Sequence, residues 1–85
     1  MAADWFNYGQ FLRRHGQPAP LSYACFLKAQ ALLQDTPGQQ LDTVRQALAE
    51  MEAGMGAQAA AVRRHPEEFR QRALAISDAD LAARP

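Results

Sequence analysis

The segment His15-Gly16-Gln17-Pro18-Ala19-Pro20 constrains this chain more than any other. Gly16 suits the left-handed end of a helix, and two prolines so close behind it forbid the helix from continuing. Whatever forms before residue 15 must turn back within a few residues, and a linker this short makes the flanking helices an antiparallel hairpin. Asp4 is placed to cap a first helix ending near Arg14. In that helix Trp5, Tyr8 and Leu12 share one face at spacings of three and four, and Gly9 allows a neighbouring backbone to come close. Pro20 opens a second helix to about Gln34, with Tyr23, Cys25, Phe26, Ala29, Leu32 and Leu33 as its apolar set. Phe6 and Phe11 lie off the first helix's main face, so its apolar surface exceeds what one partner helix covers.

The same punctuation divides the rest. Asp35 or Thr36 as cap and Pro37 in the first turn predict a third helix over residues 37–55, continuing to residue 64. Gly54 and Gly56, each about 1 kcal/mol poorer than Ala in a helix, mark a bend or a break within it. Leu41, Val44, Leu48, Met51 and Met55 form a heptad seam of about two repeats, and Gln58 takes the next seam position. That seam either packs on the first hairpin or joins copies of the chain. Pro66 starts a fourth helix with Glu67 and Glu68 at its positive end and Phe69, Ala73, Leu74 and Ile76 as its inner face. Ser77 to Asp80 reads as a capping box variant before a last short turn through Ala83, with the chain ends frayed. The expectation is a single all-α domain spanning all 85 residues: a hairpin over residues 4–34, a long helix over 37–64 and a C-terminal helical segment over 66–83.

A chain of this length buries a smaller share of its surface than a larger domain, which makes stabilisation by a partner plausible. Nine basic and nine acidic residues cancel, removing the electrostatic footprint of a general nucleic-acid or anionic-membrane binder. The best nucleic-acid candidate, Arg63, Arg64, His65, Arg70 and Arg72, is interrupted by Glu67 and Glu68 and has no aromatic platform. A single cysteine, Cys25, fits a reducing cytoplasm, and no stretch approaches the ~18 apolar residues of a membrane span. Arginine far outnumbers the lone Lys28, and alanine is abundant, which points to a GC-rich bacterial source.

No chemistry is visible. His15 and His65 lack a second ligand at helical spacing, and the adjacent Glu67 and Glu68 are explained by the helix dipole. Cys25 sits mid-helix between Ala24 and Phe26, the setting of an inert thiol, and neither serine occupies a nucleophile elbow. No metal, no cofactor and no enzymatic activity are expected.

Once the hairpin is placed, its residue types resemble a tetratricopeptide repeat, the helix-turn-helix unit of roughly 34 residues that stacks into solenoids. Trp5, Gly9 four residues on, Gly16 seven further, then Phe26 and Ala29, match that family's types and spacings over residues 4–37. Trp5 and Phe26 would fill the space between the helices, Gly9 and Ala29 would permit close crossing, and Gly16 would make the turn. The sequence departs from the family at Tyr8 and Leu12, where Leu and Tyr are usual, and at Ser22 in place of a small Ala. Its turn is longer, and the closing proline is displaced to Pro37.

The resemblance implies a non-catalytic protein-interaction module whose ligand, a peptide or helix of another protein, lies on the concave face of first helices. Phe6, Gln10 and Arg13 map to that face and Arg14 to its edge; Phe6 is either exposed there or covered by a later helix. About three repeats are usually needed for stability. The chain is therefore a piece of a longer array, a small bundle using one such hairpin, or a subunit completed by its partner. The third helix could also be the capping helix that ends such arrays. The alternative reading is an obligate homo-oligomer assembled through Leu41, Val44, Leu48, Met51 and Met55.

Overall fold

The computed structural model describes residues 2–76. It contains five helices, α1 (Ala2–Arg14), α2 (Ala19–Leu33), α3 (Gln39–Met55), α4 (Ala57–Arg64) and α5 (Pro66–Leu74), and no strand among the described residues. The capping box at Ser77–Asp80 and the turn through Ala83 lie outside them.

The hairpin forms where the punctuation requires. Gly16 adopts φ 68°, the Gln17 N–H donates to the Leu12 carbonyl at 3.0 Å and the Gly16 N–H to the Arg13 carbonyl at 3.2 Å. This pair of bonds is a Schellman motif, which satisfies the last carbonyls of α1 and reverses the chain. Pro18 then sits extended at φ −54°, ψ 134°, and α2 begins at Ala19 with Pro20 inside its first turn. At the other end, Asp4 is not the cap. α1 starts two residues earlier because Ala2 is buried in the main core, and Asp4 stands in the first turn, where its charge still complements the helix dipole.

α2 is the axis of the molecule. Leu21 through Phe26 are buried without interruption, which a helix can sustain only when surrounded, and each of the other four helices packs on it. The crossing of α1 and α2 is set at Gly9, where an added Cβ would lie 2.5 Å from a ring carbon of Phe26. The glycine is what lets the fully buried Phe26 ring lie against the α1 backbone.

The expected helix over residues 37–64 is two helices; the first ends at Met55, as expected, but starts two residues later than expected. Gly38 precedes α3, which starts at Gln39. Gly56, at φ 59° and ψ −124°, separates α3 from α4. The break has a packing reason. A continuous helix would carry exposed Gln58 into the seam, whereas the kinked chain brings Ala59 and Val62 into the core, both essentially inaccessible. A three-way polar contact spans the break: the Tyr23 hydroxyl donates to Glu52 Oε2 at 2.5 Å, and Arg63 Nη1 donates to the Tyr23 hydroxyl at 3.0 Å and to Glu52 at 3.2 Å. It ties α2, α3 and α4 together. Burial, then the Glu52 bond, raise the Tyr23 pKa, so the phenol keeps its proton.

His65 alone separates α4 from α5. α5 packs on α2, where Phe69 and Ala73, with Ile76 just beyond the helix, meet Leu12, Leu21 and Cys25 in a second cluster that Phe69 and Trp5 join to the main core.

Candidate protein-binding cleft

α1 and α3 both pack on α2 with little direct packing between them, and they run in the same sense: Phe6 and Asn7 share one hollow with Gln40, Thr43 and Val44, and Arg13, two turns on, shares another with Glu50 and Gly54. Between their N-terminal halves is an open cleft of about 310 Å³, near the lower limit of ligand-binding pockets and large enough for one or two side chains. Its floor is apolar, built from Phe6, Leu33 and Val44. Its rim carries Asn7, Gln39, Gln40 and Thr43, uncharged groups of which the three amides can both donate and accept. Such a rim suits a peptide backbone, which presents N–H and C=O groups in equal number.

Phe6 is neither covered nor free. Its ring rests against Phe26 at a centroid distance of 5.1 Å and is half-buried, with its remaining surface open to the cleft. The two alternatives read from sequence thus resolve into an intermediate: α3 approaches Phe6 without closing over it. Gln10 is half-buried one turn further along α1. Arg13 is exposed and lines a second hollow, about 410 Å³, opposite Glu50. Arg14 is exposed and lines neither hollow.

The heptad seam goes elsewhere. Leu41, Val44, Leu48 and Met51 are buried in the main core of the single chain, and Met55 packs against the same core while partly exposed. The face that would join copies is already occupied by α2, so the stripe serves the packing of one chain on itself. Phe11, 38% exposed, is stacked on Tyr8 at a centroid distance of 6.3 Å and lies tilted against His15 at 4.2 Å.

The arginine cluster is also largely engaged. Arg63 pairs with Glu52, Arg72 with Glu68 at 2.9 Å and Arg70 with Glu67 at 3.8 Å. Arg72 additionally lies over the Phe69 ring at 5.1 Å. No group of three His, Cys, Asp or Glu side chains among the described residues is placed to hold a metal. Cys25 is fully buried, and that burial pushes its thiol up to about 11, the opposite of an activated nucleophile. No helix of the described residues is long and apolar enough to cross a membrane.

Of the residues named from the sequence for binding, Phe6 lines the cleft and Arg13 the second hollow, while Gln10 and Arg14 line neither; Asn7 and the α3 side were missed. Gln40, Thr43 and Glu50 flank the apolar seam at positions that read as solvated helix surface, and nothing in their spacing marks them as facing α1. The Tyr23, Glu52 and Arg63 contact was missed because Glu52 and Arg63 are 29 and 40 residues from Tyr23 along the chain. The chain matches no family model, no curated protein and no solved structure.

Proposed function

We propose that this protein is a non-catalytic protein-interaction module that binds an extended segment of a partner along the cleft between α1 and α3. One observation carries the reading: two parallel helices, both held on α2, leave between them an open apolar floor with an amide-rich rim. The arrangement is also what the resemblance of residues 4–37 to a tetratricopeptide repeat leads one to look for, with α3 in the place of the next repeat's first helix. Phe6 receives an apolar side chain of the partner, Asn7 and Gln40 address its backbone, and Arg13 with Glu50 contacts it about 10 Å further along, two helical turns from Phe6. The proposed setting is the cytoplasm, where the buried Cys25 stays a thiol.

The test is capture from lysate of the source cells by the wild-type chain and by a Phe6→Ala, Arg13→Glu variant. Both positions are partly or fully exposed, so the variant should keep its helical circular dichroism while losing the captured protein. Undiminished capture by a folded variant would remove the cleft from consideration.

A further inference from the structure

α2, α4 and α5 border a hollow that shares no residue with the α1–α3 cleft or with the hollow beside Arg13. It is open and about 450 Å³, within the range of small-molecule pockets. Part of its lining is apolar, from Leu27 and Ala31 of α2 and Pro66 at the start of α5. The rest is charged and one-sided: Lys28 from α2, Arg63 from α4 and Arg70 from α5, against Glu67. Three helices thus bring three cations to one place in a chain whose net charge is zero.

Two of these cations are poorly neutralised where they stand. Lys28, the only lysine of the chain, is half-buried and has no carboxylate partner among the described residues. The Arg70 side chain is 19% exposed, and its contact with Glu67, at 3.8 Å, is longer than a hydrogen bond and made to a carboxylate 83% exposed. An ion pair with so exposed a partner contributes little. Arg63 is held by Glu52 and the Tyr23 hydroxyl, but both of those bonds leave from Nη1, and its Nε–H and Nη2 groups remain to donate. Even with Glu52 counted against Arg63, the cations outnumber the carboxylates. Like charges held together at a half-buried site repel one another, and an anion between them turns that repulsion into attraction.

We propose that this hollow binds a phosphate monoester, with its phosphoryl group on Lys28, Arg63 and Arg70 and its organic part against Leu27, Ala31 and Pro66. The number of cations selects the class: a phosphoryl group has three terminal acceptor oxygens, one for each, whereas a carboxylate has two and a single charge. Arginine forks and a lysine point charge are the groups that hold such oxygens. The site stands or falls separately from the α1–α3 cleft.

Phenyl phosphate titrated into the full chain at low salt and about pH 7.5, where the monoester is a dianion, tests this by amide NMR. The signals of Lys28, Arg63 and Arg70 should move saturably, and those of Phe6 and Gln40 in the α1–α3 cleft should stay in place. Lys28→Gln and Arg70→Gln should each weaken binding about tenfold, the loss of one charge-assisted contact, and Glu67→Gln should strengthen it. Arg72→Gln removes an α5 charge that does not line the hollow and should leave binding within about twofold of wild type. If Arg70→Gln loses its helical circular dichroism, Lys28→Gln and Glu67→Gln decide the matter. Benzoate, with the same ring and two oxygens, should bind at least about fivefold more weakly. A blocked phosphotyrosine tripeptide separates the two sources of the ligand: tighter binding than phenyl phosphate assigns the site to a phosphorylated protein, weaker binding to a free organic phosphate. Absence of saturable shifts at these positions, benzoate binding as tightly as phenyl phosphate, or equal losses from Lys28→Gln and Arg72→Gln would overturn the proposal.

Discussion

Gly9→Ala is the sharpest test of how the hairpin is packed, because two opposing effects act at one atom. Alanine is the better helix former by about 1 kcal/mol, so on local grounds the substitution stabilises α1. Against that, the new Cβ would sit 2.5, 2.8 and 3.2 Å from three carbons of the Phe26 ring, where ordinary carbon contacts lie at about 3.5–4.0 Å. The ring must retreat by about an ångström. It is fully buried and already lies against Phe6 at 5.1 Å, so it has little room in which to move. Overpacking of this kind costs about 1–3 kcal/mol and sometimes more, and a whole ångström on a rigid ring belongs in the upper part of that range. The net loss is then about 1–2 kcal/mol, which for a domain of this size lowers Tm by about 5–15 °C. Thermal unfolding followed by circular dichroism measures it. Gly54→Ala in α3 supplies the control: nothing lies within 4 Å of its added Cβ, so only the helix-propensity gain remains and Tm should rise by a few degrees. Phe26→Leu in the Gly9→Ala background should recover part of the loss. A Gly9→Ala chain as stable as the wild type, or more so, would mean that α1 and α2 do not cross at Gly9.

Other outcomes follow from the same contacts. Leu48→Asp places a charge at a position 4% exposed in the main core, at a cost of several kcal/mol, and should abolish the cooperative helical transition at every protein concentration; a folded variant that merely dissociates would restore the oligomer reading of the seam. Tyr23→Phe keeps the ring and removes the bonds to Glu52 and Arg63, and should lower stability in urea unfolding by about 1 kcal/mol. In alkali, the folded chain holds the Cys25 proton up to about 11, whereas the unfolded thiol releases it near 9. Stability from this group is therefore complete below pH 9 and lost as the pH rises to 11, in total about 2–3 kcal/mol; burial raises Tyr8 and Tyr23 as well, adding to the fall. Cys25→Ala should flatten the decline between pH 9 and 11, and an unchanged slope would contradict the thiol's part in it.

The parts of this fold that were legible in the sequence are those set by backbone chemistry. Gly16 with Pro18 and Pro20 dictates a reversal whatever surrounds it, and Pro66 likewise starts a helix. The Trp5, Gly9, Phe26, Ala29 pattern anticipated a close crossing, and Gly9 does lie against Phe26. What escaped was decided by tertiary packing. Gly54 and Gly56 are equally poor helix residues, and Gly56 became the break because turning there buries Ala59 and Val62. Ala2 looked like a frayed end because its burial depends on residues almost forty positions away in α3. Of the candidate site, Phe6 was readable, as an apolar residue off the main face of its helix, and Asn7 beside it was not. The α3 half was not, since Gln40 and Thr43 acquire their meaning only from the parallel placement of α1.

The claim that the α1–α3 cleft receives a partner is tested most directly by site-specific photocrosslinking. A photoreactive side chain at Asn7 or Gln40, both on the cleft rim, should give covalent adducts with a captured protein, and one at Arg45, exposed on α3 and outside the cleft, should not. Adducts from Arg45 with none from Asn7 or Gln40 would contradict the account.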